Sequence, residues 1–185
     1  MAYPGQTIDN PITGERIVFQ KTAAQTGGRL LTFDLFLTPG GHVPAGHVHP
    51  ALEERFTIQR GRVKFRRGVK TIVAGPGEKV IVPARTAHRF RNFGDLPAQI
   101  RVEVEPALHM EDLLEMTAAL ARDGRTLANG MPKPLDLALF LHRFEAEVRI
   151  PLIPQVLVRA VTAPLTSIGL RRGLALPALT AQRAA

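Results

Sequence analysis

The chain contains no cysteine and no tryptophan, and it has one tyrosine. Without cysteine there can be no disulfide, no thiolate metal site and no thiol nucleophile. Any metal ion must therefore be held by nitrogen and oxygen donors. Aromatic residues make up 5% of the chain, and no nucleic-acid-binding module is recognisable. The formal net charge of +8, with 19 of the 24 basic residues arginine, is thus weak ground for a nucleic-acid partner, and none is expected. Acidic residues run out at Glu147. Beyond it lie Arg149, Arg159, Arg171, Arg172 and Arg183 in an otherwise apolar tail. The opening residues, MAYPGQTIDNPITGER, lack both the basic start and the apolar run of a secretory signal. The expected location is the cytoplasm.

What is present suits a folded core. With 185 residues, 45% of them hydrophobic, the chain can form one medium domain, or a β-domain with an extension. Up to residue 106, glycines and prolines punctuate short runs of Val, Ile, Phe and Thr. These runs predict eight strands, over 16–21, 30–37, 54–59, 62–67, 71–74, 79–82, 88–92 and 99–105, and hence an all-β barrel or sandwich. In RGRVKFRR, Val63 and Phe65 alternate with Arg62, Lys64 and Arg66. Period two puts the apolar pair inside and the basic set on a solvated outer face.

The pattern changes after Glu105-Pro106. ALHMEDLLEMTAALARDG spaces Leu113, Leu114, Thr117, Leu120 and Ala121 helically and ends on Gly124. LDLALFLHRFEAEVR places Leu137, Leu141, Phe144 and Val148 on one stripe. Residues 107–185 are therefore expected to form a helical extension to a β-domain of residues 1–106, packed on the barrel or on a second subunit. From Ile150 to Leu170 the chain is nearly all apolar, but three prolines and Arg159 argue against a membrane span. Two short helices, 155–163 and 165–170, are expected instead. They suit a dimer arm or a peripheral contact with an anionic membrane surface.

Histidine is also scarce, with six in the chain, yet His47 and His49 stand together in GHVPAGHVHPALEERFTIQRG. On a strand, i and i+2 point to one face. Glu54 opens the next predicted strand and shares a face with Phe56 and Ile58, which prefers it to Glu53 as an inward carboxylate. In GEKVIVPARTAHRFRN, His88, Phe90 and Asn92 share another strand face. Three imidazoles and one carboxylate can converge there as a metal site.

The two segments resemble the paired motifs of the cupin superfamily. Gly41, His47, His49, Glu54 and Gly61 match the first, and Gly77, Pro83, His88 and Asn92 match the second. Arg85 departs from the pattern, standing where the family has glycine. The resemblance covers roughly residues 30–105 and implies a mainly β double-stranded β-helix, a jelly-roll barrel, here carrying C-terminal α-helices. The ligands it implies are His47, His49, Glu54 and His88, holding a divalent transition metal: iron, manganese, nickel, copper, cobalt or zinc. The superfamily includes dioxygenases, isomerases, decarboxylases, epimerases, storage proteins and sensors.

The expected function is therefore a small-molecule enzyme, a dioxygenase-like oxidoreductase or a metal-assisted isomerase. Glu54 is its ligand and candidate base, Phe56, Ile58, Val63, Phe65 and Phe90 are its apolar lining, and Asn92 is a further candidate for the substrate pocket. The alternative is a non-catalytic metal- or ligand-binding module whose C-terminal helices mediate association. Arg85 either holds a substrate carboxylate or enolate at the rim or points into solvent. His42 reads as a loop residue near the barrel mouth, and His109 and His142 as structural. A homodimer is expected.

Overall fold

The computed structural model describes residues 2–177; Arg183, counted above in the basic tail, lies outside the described residues. Nine strands precede three helices: β1 Thr7–Asn10, β2 Glu15–Lys21, β3 Leu31–Leu37, β4 Glu53–Arg60, β5 Val63–Arg67, β6 Lys70–Ala74, β7 Lys79–Val82, β8 His88–Asn92, β9 Ala98–Glu105, then α1 Met110–Arg122, α2 Pro134–Arg143 and α3 Gln155–Arg171. The fold is mainly β, with its strands in two antiparallel sheets ordered β1-β2-β3-β9-β4-β7 and β6-β5-β8. The sequence pattern missed only β1, whose TIDN has a single apolar residue and borrows its pairing from β2.

Alternation makes the core. On β9, Ala98, Ile100, Val102 and Val104 are buried while the intervening Gln99, Arg101 and Glu103 are not. On β5, Val63 and Phe65 are fully buried beneath the outward Lys64 and Arg66. The two sheets meet through aromatic contacts: Phe56 on β4 lies 5.2 Å from Phe65 and 5.1 Å from Phe90 between ring centroids. The β4–β5 turn needs glycine at position 61, where φ is +75° and a Cβ would stand 2.8 Å from the Ala98 Cα.

The segment carrying His47 and His49 is not a regular strand. It runs extended beside β8 and touches it through isolated bridges, His42 to Arg91 and His47 to His88. Its other side is taken by the chain after α2, through Val48 and Arg149, which exchange two backbone hydrogen bonds of 3.0 and 2.8 Å.

The helices close on the barrel. α1 begins with Glu111 and Asp112 and ends with Arg122, charges that suit the helix dipole, and Gly124 follows at φ +66°. Its Leu113, Met116 and Leu120 are buried. α2 starts on Pro134, whose fixed φ suits the first turn. It stops at Arg143, short of the expected stripe end at Val148. Phe144, fully buried, marks the turn, and its carbonyl accepts from the N–H groups of Glu147 and Val148. The turn lets Arg149 reach Val48.

The expected pair of short helices over 155–170 is one helix, α3, with Pro164 inside it. Proline removes one intrahelical donor, the one that would reach the Ala160 carbonyl. Ala160, Ala163 and Pro164 are exposed, so that carbonyl is open to solvent and the helix continues. Among the described residues, no helix is long and apolar enough to cross a membrane.

Candidate metal centre

The two motif segments deliver their side chains to one point. His47 comes from the extended segment, His49 two residues on, Glu54 from the start of β4 and His88 from the start of β8. One ligand-capable atom from each of the four lies within 4.8 Å of all the others. The imidazole centroids are 4.3 to 5.3 Å apart. Glu54 Oε2 stands 2.8 Å from His88 Nε2 and 3.2 Å from His49 Nε2.

The outward nitrogens fix the tautomers. Each Nδ1 faces a backbone carbonyl: His47 to Ala45 at 3.1 Å, His49 to Glu147 at 2.5 Å, His88 to Thr86 at 3.2 Å. A carbonyl only accepts, so each Nδ1 carries a hydrogen, and each Nε2 faces the centre of the cluster, where it can coordinate once it holds no proton. His49 Nε2, His88 Nε2 and Glu54 Oε2 are buried and have no aligned hydrogen-bond partner. Buried polar atoms left in this way are costly, and a cation at their focus would satisfy all three. The donor set, three imidazole nitrogens and one carboxylate oxygen, fits a divalent transition metal.

Electrostatics agree with the geometry. Burial, then the neighbouring His88 and His49, push His47 down to about 3, so it is neutral at physiological pH. Burial works to lower His49, but the Glu54 carboxylate outweighs it and raises that imidazole. Burial works to raise Glu54, but His49 and His88 overturn it and hold the carboxylate well below its ordinary range.

The cluster opens onto a cavity of about 200 Å³, lined by the interior faces of β1–β4 and roofed by α1, α2 and the chain after α2. His47, His49 and Glu54 are in its wall, as are Phe56 and Phe90. Ile58, Val63 and Phe65 lie deeper, in the barrel core, and do not line it. Asn92 is also buried and serves the backbone. Its Nδ2 donates to the carbonyls of Leu37, Thr38 and Leu96, and its Oδ1 accepts from the Gly94 N–H.

Arg85 is exposed and outside the cavity wall. It sits at φ +64°, a left-handed conformation that favours glycine, and its N–H donates to the His49 carbonyl at 2.7 Å. His42 is half-buried and outside the cavity wall. His109 Nδ1 lies 3.1 Å from the carboxylate of the buried Glu147, and His142 is exposed at the end of α2.

Residues that the sequence reading did not single out also enter. Glu15, Asn10 and Arg149 line the cavity, and the Glu147 carbonyl orients His49. Glu15 had a signal: it alternates inward with Ile17 and Phe19. The Glu147 carbonyl had none, since a backbone acceptor leaves no mark in a sequence.

The sequence model of the family described as cupin domain matches residues 34–105. No curated protein matches the chain by sequence. Among solved structures, TT1209 from Thermus thermophilus is 29% identical over 48% of this chain and 78% of its own, with a TM-score of 0.42. A predicted oxalate decarboxylase from Thermotoga maritima is 18% identical over 56% of this chain and 92% of its own, with a TM-score of 0.50. KdgF from a Halomonas species is 13% identical over 55% and 86%, with a TM-score of 0.48. At 18% identity, the likeness to the Thermotoga maritima protein is one of fold alone.

Proposed function

The chain belongs to the cupin superfamily through residues 34–105, and we propose that it is a metal-dependent enzyme acting on a small, mainly apolar organic molecule. His47, His49, Glu54 and His88 would hold a divalent transition metal. Bound there, the metal would supply Lewis-acid or redox chemistry to an oxygen-bearing substrate, in a dioxygenase-like oxidation or an isomerisation. In this reading Glu54 is both ligand and proton acceptor, and the enzyme works in the cytoplasm.

The observation that carries the proposal is the meeting of four convergent ligands and a walled cavity. The cluster forms part of a cavity wall that is otherwise mostly aliphatic and aromatic, including Phe56 and Phe90. Such walls exclude water and select an apolar body. They suit a small dicarboxylate poorly, so the oxalate chemistry in the name of the Thermotoga maritima protein is not carried over.

Elemental analysis of the tag-free protein, beside a His47→Ala/His88→Ala variant, tests the reading. Near-stoichiometric transition metal in the parent, lost from a folded variant, is expected. No metal in either, with both folded, refutes it and leaves a non-catalytic ligand-binding module.

A homodimer belongs to the same proposal and is supported by α3. The helix exposes Val156, Leu157, Val161, Ile168 and Leu170 and contains no acidic residue. Light scattering should find a dimer that Leu157→Glu/Val161→Glu dissociates. A monomeric parent that co-sediments with anionic vesicles would instead assign this face to a membrane surface.

A further inference from the structure

Glu15 is the first residue of β2, and its side chain shares the interior face with the buried Ile17 and Phe19. It is half-buried because it lines the cavity. Its contacts are local: the Thr13 hydroxyl donates to Glu15 Oε2 at 2.6 Å. No cation lies within ion-pair distance among the described residues. A carboxyl group on the inside of an apolar barrel, without an ion pair, is expensive unless something uses it.

Its neighbour across the ladder, Asn10, is buried and lines the same cavity. The Asn10 Oδ1 accepts from the N–H groups of Ile12 and Thr13. That leaves the amide NH₂ as a donor beside the carboxyl.

The strand register places this pair away from the metal ligands. The row containing Glu15 passes through Leu37 and meets β9 at Ala98. The row containing Glu54 meets β9 at Val104, six positions along the same strand. One cavity touches both rows, so it runs along the strands with a polar group at each end. Between them its wall is apolar, with Ile17, Phe33, Leu35, Val43, Phe56 and Phe90.

We propose that Glu15, assisted by Asn10, recognises the end of the ligand remote from the metal ligands. The ligand class is then an elongated molecule with an oxygen donor at one end, an apolar middle and a hydroxyl or similar hydrogen-bonding group at the other. This rests on the metal-centre reading above and adds the second anchor to it. Burial pushes the Glu15 carboxyl up to about 7 against the lowering pull of Thr13 and His42. At neutral pH both of its forms are populated, so it can donate to or accept from a terminal group.

The test is calorimetric titration of the full, zinc-loaded chain with alkyl hydroxamates, which chelate divalent metals through two oxygens. A series of increasing chain length is compared with the same series bearing a terminal hydroxyl. At one length the hydroxyl should tighten binding about tenfold, the size of one good hydrogen bond. The gain should vanish in Glu15→Leu and largely survive in Glu15→Gln, which keeps the shape and a donor. If plain hydroxamates bind but the hydroxyl helps at no length, or helps equally in Glu15→Leu, the Glu15 assignment falls while the metal centre stands. If plain hydroxamates do not bind the zinc-loaded protein, the cavity is not the ligand site and both readings fall.

Discussion

Replacing Arg85 with glycine should stabilise the protein. Arg85 sits at φ +64° in the loop before β8, a region that L-residues with a Cβ enter at a cost of about 1–2 kcal/mol. Its side chain is exposed and makes no hydrogen bond or ion pair among the described residues. Its N–H bond to the His49 carbonyl, 2.7 Å, needs no side chain. Glycine therefore removes the strain and loses no contact. Against this, glycine gives the unfolded chain roughly 0.4–1 kcal/mol more conformational entropy to lose. The net gain is about 0.5–1 kcal/mol, or roughly 1–4 °C in Tm for a chain of this size. Arg85→Ala is the control, because alanine keeps the Cβ and so keeps the strain. The assay is thermal and urea unfolding of parent, Arg85→Gly and Arg85→Ala, with metal content measured on each. A glycine variant no more stable than the alanine variant would refute the strain argument. Weaker binding of an anionic ligand in both would restore Arg85 as a substrate anchor, which its exposed position outside the cavity speaks against.

Three further outcomes follow from the buried charges. Glu15 titrates at about 7 in the folded state, against an ordinary value of 4.5. Between those values the folded chain holds a proton that the unfolded chain has released, so the contribution to stability is full below about 4.5 and is lost as pH rises through 7. The loss is at most about 3 kcal/mol, reduced because the residue is only half-buried. Glu15→Gln should abolish it, as urea unfolding across pH would show, and an unchanged pH profile would count against the buried carboxyl. Metal affinity should rise with pH, since His49 is raised by Glu54 and must lose its proton to bind, whereas His47 is already neutral. Calorimetry in buffers of different ionisation enthalpy should therefore detect proton release that weakens as pH rises. Glu147→Ala should destabilise by roughly 2 kcal/mol by removing the buried partner of the His109 backbone N–H and ring. It should also weaken metal retention about tenfold by loosening the carbonyl that orients His49. Wild-type retention in a destabilised variant would separate the two roles.

How much was legible depends on whether a residue's role is carried by a periodic side chain. The strands of the barrel were readable because inward residues recur every second position, as with Val63 and Phe65 on β5. The cluster of His47, His49, Glu54 and His88 was readable because such a cluster needs particular side chains at a particular spacing, and no backbone group substitutes for an imidazole. β1 was not readable, because its four residues hold one apolar side chain and its pairing comes from β2. The break expected at Pro164 did not occur, because proline's cost is set by the solvent exposure of one carbonyl, and that is tertiary information. Ile58 and Phe65 were expected in the cavity because they alternate inward. Alternation says which face is buried, but not whether a buried residue meets a void or another side chain.

The part of the site furthest from sequence reasoning is the part supplied by the helical extension. Nothing in residues 107–149 resembles a ligand motif. Yet this segment pairs Arg149 with Val48, between His47 and His49, and aims the Glu147 carbonyl at His49 Nδ1. α1 and α2 add Leu113, Leu137 and Phe140 to the cavity wall. An imidazole whose outer nitrogen lost this acceptor could rotate or change tautomer, and its Nε2 would no longer be committed to the cluster. The extension is therefore built into the chemistry of the barrel. The chain between Pro106 and Arg149 closes one side of the cavity and holds His49 in the cluster.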